Sequence, residues 1–267
     1  MLWALLPLKD FVNAKQRLAG VLAPHERRRL FQAMVDDVLT VLAKHPDIDN
    51  TVIVSDDPSA ELLAEHYGVS YWPEFAVQGS GLNSVVTNTA ALLAAQGVDS
   101  LLVVHGDLPL LCPQEISALV AAHQKLPKPS VSIAPDRHQQ GSNCMLCSPP
   151  QAISFHYGEG SLHKHCAQAA RVGAANQVLA LDGIGCDVDV PDDIVALLKT
   201  VVQGNKRSLD YLYSSGIAQR LSAMMLESPV EKNAVQHHCD KAQSVIDTTV
   251  IDAAAIENGV INRTTIR

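Results

Sequence analysis

The sequence predicts an α/β fold, with a mostly parallel sheet flanked by helices. Three observations carry that prediction. Short, continuous apolar runs rich in Leu, Val and Ile recur along the first half of the chain. Segments with helical spacing of apolar residues separate them, and Gly or Pro punctuates the boundaries. Continuous apolar strands joined by helices imply strands covered on both faces. The chain has 267 residues, enough for one large domain or one domain with an appendage.

The elements follow in order. Leu2–Leu8 is an apolar run ended by Lys9-Asp10 and reads as the first strand. Pro24–Ala43 opens with Pro24 and Glu26 and repeats Leu30, Met34, Val38 and Val41 at helical spacing. Thr51–Ser55, bounded by Asp-Asp-Pro, reads as a buried strand. Pro58–Tyr67 is a helix stopped by Gly68, and Val69–Trp72 a short strand. Leu82–Ala95 is a helix stopped by Gly97, and Leu101–Val104 a strand running into His105-Gly106-Asp107. Pro113–Lys125 is a helix and Ser130–Pro135 a strand. Beyond Pro135 the elements shorten: Asn143–Cys147, a helix over Leu162–Val172, a strand near Gln177–Leu181 and a helix over Pro191–Val202. Leu209–Leu226 reads as helical, Ser228–Lys241 as polar, and Ser244–Ile256 as strand or short helix. The expected organisation is a main domain over 1–205 and a C-terminal extension over 206–267.

Composition narrows the function. The apolar content of 47% excludes a disordered chain. A net charge of −8 gives no overall attraction for a phosphate backbone, so nucleic acid is not an expected partner. That charge is uneven. Residues 1–30 carry six basic residues against two acidic ones, a local excess of positive charge. No apolar run reaches the ~18 residues of a membrane span, and the N-terminus lacks the features of a secretory signal. Six scattered cysteines suit reduced thiols, so a cytoplasmic location is expected.

In a parallel sheet, ligands bind beyond the carboxyl ends of the strands. The loops after Leu8, Ser55 and Val104 are therefore the places for chemistry. After Leu8 come Lys9, Lys15 and Arg17, which could neutralise a polyphosphate or simply form a solvated basic loop. After Val104 comes Asp107, placed to hold a hard divalent cation or to cap the following turn. Asp187 and Asp189 are two apart, so an extended segment would turn both to one side; Asp189 could instead cap the helix starting at Pro191. Ser142, Asn143, Gly158, Gly160 and Ser161 read as loop positions able to present donors to an anion, with the helix after Ser161 adding its N-terminus. Gly79 and Gly81 precede the Leu82 helix, another possible anion- or base-contacting loop. The phosphate loops GxGxxG and GxxxxGKS are missing, as is the GxSxG of serine hydrolases. Cys144 and Cys147 have no matching second pair for zinc. The clusters His163/His165/Cys166 and His237/His238/Cys239 read as structural.

Taken in order, LPLKDFVNAKQRL, TVIVSDD, GLNSVV, HGDLPLL, GSNCMLCSPP, YGEGSLHKH and DVDVPDDI resemble the phospholactate guanylyltransferases (the CofC/FbiD family) over about residues 1–203. The resemblance implies a single nucleotidyltransferase domain, Rossmann-like and GT-A-like. It implies an enzyme that couples GTP to a phosphorylated three-carbon acid: 2-phospho-L-lactate, phosphoenolpyruvate or 3-phospho-D-glycerate. Pyrophosphate would be released and the product would feed biosynthesis of the deazaflavin coenzyme F420. It places metal-binding carboxylates, for Mg²⁺, at Asp107 and Asp189, and phosphoacid-binding positions at Lys9, Ser142, Gly158 and Ser161. The family usually carries Thr where this chain has Ser142. Lys9, Lys15 and Arg17 would act on the phosphates. Leu6, Pro7, Lys15, Gly81 and Asn83 are the expected nucleotide-binding positions. A different acceptor, such as a sugar phosphate or a molybdopterin, or a non-catalytic assembly role, would fit the same fold. The expected partners are GTP, the acid and a downstream F420-pathway transferase receiving the product. The extension is a candidate for dimer formation or docking.

Overall fold

The computed structural model describes residues 1–9, 11, 14–200 and 204–226. A compact unit runs from Met1 to Ala218, and the described residues from Gln219 to Leu226 fall outside it. The expected polar stretch 228–241, the segment 244–256, and His237, His238 and Cys239 lie outside the described residues.

Strand β1 (Leu2–Pro7) leads to helix α1 (Pro24–Leu42), then β2 (Asn50–Val54), α2 (Pro58–Tyr67), β3 (Ser70–Trp72), α3 (Leu82–Ala95) and β4 (Ser100–Val104). Next come α4 (Pro113–His123), β5 (Ser130–Pro135), β6 (Ser142–Ser148), α5 (Ser161–Arg171), β7 (Ala175–Val178), α6 (Pro191–Lys199), α7 (Arg207–Ser214) and α8 (Ile217–Leu226). The seven strands form one sheet in the order β3-β2-β1-β4-β6-β5-β7. Only β6 runs against the others, wedged between β4 and β5. The sheet is thus mostly parallel, as the apolar runs predict.

Alternate residues point to opposite faces of a strand. Leu5, Val52, Val54, Leu101, Val103, Ile133 and Met145 share one face with the apolar rows of α3 and α5. Ala4, Leu6, Ile53, Leu102 and Val104 occupy the alternate positions and are also fully buried. Helices α1 and α4 bury their own rows, Leu30, Met34 and Val38 in one and Ile116 and Leu119 in the other, outside that first cluster.

The chain moves outward from β1 through β2 to β3, then returns to place β4 on the other side of β1. Crossovers therefore leave in opposite directions from β1 and β4. A crevice opens at the carboxyl ends of two such strands, which is where ligands of open α/β sheets sit. Here those ends carry the Lys9–Arg17 loop and His105-Gly106-Asp107.

Several expectations need correction. Ser142 and Asn143 are the first residues of β6, not loop residues, because the chain pairs with β5 from Ser142 and with β4 from Cys144. The last strand is Ala175–Val178, earlier than Gln177–Leu181, because its register against β5 begins at Ser130↔Ala175. Leu209–Leu226 is two helices, α7 and α8, separated at Gly216 with φ +76°. Helix α7 belongs to the same compact unit as the sheet. Asp37 of α1 is buried and accepts from Arg207 N, Ser208 N and Ser208 Oγ, so one helix caps the start of another. Among the described residues, no helix is long and apolar enough to cross a membrane.

Candidate active site

The centre of the site is one ammonium shared by two carboxylates. Lys15 Nζ donates to Asp107 Oδ2 at 2.5 Å and to Asp189 Oδ1 at 2.6 Å. The Lys15 side chain is only 6% exposed, so this is an enclosed ion triad and not a surface pair. Burial alone would lower the lysine pKa, but Asp107 and then Asp189 outweigh it and raise it above the usual lysine range. Burial likewise opposes ionisation of Asp107, and Lys15, followed by His105, holds its pKa below the usual carboxylate range. Lys15 and Asp107 are therefore both charged near neutral pH.

Local structure places each member. Lys15 sits in the left-handed region, φ 56° and ψ 43°, just before a 3-10 turn at Gln16–Leu18. A non-glycine residue there costs on the order of 1 kcal/mol, and such strain gathers at functional sites. Asp107 follows β4 through Gly106. A Cβ on Gly106 would lie 2.8 Å from Leu8 Cδ2 and 3.0 Å from Val35 Cγ2, so a larger residue would have to push these two buried side chains aside for the loop to lie against Leu8 and α1. Asp189 lies just before α6. The sequence leaves open whether it caps that helix; Asp193 does so instead. Asp193 Oδ2 accepts from Asp189 N and Val190 N, both at 2.7 Å, and Asp193 is also paired with Arg137. The Asp189 carboxylate is thereby released to face Lys15.

A cleft of about 480 Å³ opens over this triad, lined by Pro7, Lys9, Lys15, Arg17, Leu82, His105, Asp107 and Asp189 among others. Lys9 and Arg17 are exposed, whereas Lys15 is held inside. Leu6 is fully buried in β1 and has only backbone to offer. Gly81 is the residue before α3, with φ +82°. Asn83 is committed elsewhere: its Oδ1 accepts from Tyr157 N at 2.6 Å and its Nδ2 donates to Tyr157 O at 3.2 Å. It anchors the 155–160 loop against α3.

Asp187 faces the same region. It accepts from Asn143 Nδ2 at 3.1 Å, and Asn143 also donates to Ile184 O. Burial, with repulsion from Asp107 and Asp189, pushes the Asp187 pKa to about 6 although the Asn143 bond opposes the rise.

The second group of predicted residues gathers at the start of α5. Ser142 N donates to Ser161 Oγ at 3.0 Å, so the two serines meet. Gly158, φ +113°, and Gly160, φ +65°, shape the turn that delivers Ser161 to the first helical position. His165, which the sequence reading left as structural, joins them, and so does Tyr157, to which it assigned no role. His165 Nδ1 lies 3.0 Å from Ser142 Oγ, and His165 Nε2 accepts from His156 N at 2.8 Å. Tyr157 packs edge-on against both His105 and His165, with ring centroids 5.0 and 4.9 Å apart. From His105, two residues before Asp107, contacts run through the Tyr157 and His165 rings to Ser142 and Ser161. The spacing S-x-x-x-H, one helical turn, was the sequence signal for His165.

Two carboxylates that reach one cation suit a hard divalent ion, which takes oxygen ligands and completes its shell with water and substrate phosphates. Two carboxylates and one ammonium leave one negative charge, so an added cation is electrostatically favoured there.

A family profile described as guanylyl transferase CofC like matches residues 2–232. A phosphoenolpyruvate guanylyltransferase of Conexibacter woesei is 36% identical over 199 residues, covering 74% of this chain and 88% of its own. One of Sphaerobacter thermophilus is 38% identical over 194 residues, covering 73% and 91%. Among solved structures, a Desulfovibrio desulfuricans G20 protein described as a nucleotide-diphospho-sugar transferase aligns with TM-score 0.65 at 17% identity, covering 82% of this chain and 97% of that one. A 4-diphosphocytidyl-2C-methyl-D-erythritol synthase aligns with TM-score 0.52 at 15% identity, covering 73% and 97%. These two show a shared fold.

Proposed function

Because this chain belongs to the CofC-like guanylyl transferase family, and is a guanylyltransferase of coenzyme F420 biosynthesis, we propose that it joins GTP to phosphoenolpyruvate or a related three-carbon phosphoacid at the cleft over Lys15, Asp107 and Asp189. The observation that carries this placement is the single ammonium shared by the two carboxylates at the carboxyl ends of the switch-point strands. Phosphoenolpyruvate is the first candidate acid because the relatives named above carry it in their names.

In the proposed reaction, a phosphate oxygen of the acid attacks the α-phosphorus of GTP. A new P–O–P bridge forms, the α–β bridge breaks, and pyrophosphate leaves with the bond's electron pair. The attacking phosphate is already largely ionised near pH 7, so no general base is required. Both reactants are anions, and the protein's main tasks are positioning and neutralisation. Lys9 and Arg17, exposed at the cleft rim, are assigned to the phosphates. Lys15 is assigned a dual part, holding Asp107 and Asp189 in place and facing the transferring phosphoryl group. Asp107 and Asp189 would hold Mg²⁺, which when bound supplies charge neutralisation to the triphosphate. Ser142, Gly158 and Ser161 are assigned to the acid, and Pro7 and Gly81 to the nucleotide, with Leu6 contributing backbone alone and Asn83 acting through the Tyr157 loop. The five described cysteines are free thiols, which supports a reducing compartment such as the cytoplasm. Handover of the product to a downstream transferase, and dimer formation, are assigned to the C-terminal region.

The test is incubation of the full chain with Mg²⁺, GTP or ATP, and each of the three acids or a sugar phosphate, read by mass spectrometry. A GMP-linked acid formed from GTP with phosphoenolpyruvate, and pyrophosphate in equal amount, is the expected result. Product with sugar phosphates alone would overturn the acid assignment.

A further inference from the structure

His165 has no assigned role, yet it is fully buried and both ring nitrogens are engaged. The backbone N–H of His156 points at Nε2, so Nε2 must be the acceptor. A neutral imidazole with a bare Nε2 carries its proton on Nδ1. Burial, and then the neighbouring His156, His105 and Lys164, lowers the His165 pKa to about 4, so the ring is neutral at physiological pH. Nδ1–H therefore donates to Ser142 Oγ, and the hydroxyl serves as acceptor in that contact.

The same logic applies to its neighbour. Ser142 N donates to Ser161 Oγ, which accepts. Each hydroxyl thus has an acceptor position filled from within the protein and retains its own proton to give. Ser161 opens an eleven-residue helix, whose N-terminal dipole favours an anion, and Ser142 at the start of β6 reaches the Ser161 hydroxyl through its backbone N–H.

We propose that His165 is a positioning residue for acid recognition: its Nδ1–H fixes Ser142 Oγ as an acceptor on the protein side and turns the serine proton toward the bound phosphoacid. The proposal rests on the assignment of Ser142 and Ser161 to the acid. It predicts that His165 acts on the acid through one hydroxyl and leaves GTP binding alone.

The experiment measures kcat, KM for phosphoenolpyruvate and KM for GTP in the full chain and its His165→Leu, His165→Asn, Ser142→Ala and His165→Leu/Ser142→Ala variants. Leu fills the ring's space without a donor, whereas Asn can place an N–H where Nδ1 stood. Expected is a rise of roughly tenfold in the acid KM for His165→Leu, the scale of one lost hydrogen bond, with the GTP KM unchanged. His165→Asn should recover most of the loss, and His165→Leu should cost nothing further once Ser142 is Ala. Equal losses for Asn and Leu, a GTP KM that rises in parallel, or full additivity with Ser142→Ala would overturn the proposal. Should the Leu variant fail to fold, ¹⁵N-histidine NMR of the wild type reads the tautomer directly. A protonated Nδ1 with bare Nε2 supports the proposal, and a protonated Nε2 overturns it. A wild-type chain that turns over GTP with no phosphoacid would instead remove the acid-site assignment, and the proposal with it, whatever the tautomer.

Discussion

Asp189 and Asp193 stand four residues apart and divide two tasks. Asp193 takes the backbone donors at the start of α6, and Asp189 turns to Lys15. Asp193→Ala should therefore lower stability by about 1 kcal/mol or more, as losing a cap does, visible in urea denaturation. Asp189→Asn should leave the urea midpoint nearly unchanged while lowering kcat by about a hundredfold or more. Gly106→Ala forces a methyl against Leu8 and Val35, and should cost roughly 1–3 kcal/mol by the same denaturation assay. Asp107 was visible because it follows a strand end, Asp189 because it stands two from Asp187 before Pro191, and Ser142 and Ser161 because they are small donors beside turn glycines or a helix start. That Lys15 would sit between the two carboxylates was not, because its partners lie 92 and 174 residues away in the chain. Nor was the choice of Asp193 as cap, since the sequence places three aspartates within five positions and any of them has the chemistry for it.

Helix α4 is tied to the sheet by a polar clamp at the end of the strands opposite the active cleft. His123 Nδ1 lies 2.8 Å from Ser132 Oγ in β5, and Nε2 lies 2.8 Å from Ser148 Oγ in β6. Burial, and then Lys128, lowers the His123 pKa to about 4. The folded pKa lies below the unfolded value of about 6.5, so the unfolded chain binds the extra proton between those values. The stabilisation is complete above pH 6.5 and fades as pH falls toward 4. The stability difference between wild type and His123→Gln should shrink by about 2–3 kcal/mol between pH 7.5 and 4.5, measured by urea denaturation at each pH. A difference independent of pH would contradict the neutral buried imidazole. Elements from β1 to α4 were legible because each strand is a continuous apolar run and each helix has Pro or Gly punctuation. The place of β6 was not legible. Its insertion between β4 and β5, against the direction of both, is set by long-range pairing that no local pattern records.

The whole molecule reconciles an acidic chain with anionic ligands. Its net charge is −8, yet the exposed Lys9 and Arg17 flank the enclosed Lys15 on one loop at the switch point of the sheet. Every described residue assigned to the reaction lies within Met1–Ala218. A chain ended after residue 232, where the family match stops, should therefore retain transfer activity within a few-fold. Any role of the tail in self-association would appear as a change of mass by light scattering, with turnover unaffected. The central claim is that the Lys15–Asp107–Asp189 triad is the seat of guanylyl transfer. It is tested most directly by pyrophosphate release from GTP and phosphoenolpyruvate across a Mg²⁺ titration, comparing wild type with Asp107→Asn. The wild type should release pyrophosphate in step with Mg²⁺ occupancy. The variant, folded by its melting transition, should fall by roughly a thousandfold at every Mg²⁺ concentration. Turnover of Asp107→Asn near the wild-type rate would contradict the account.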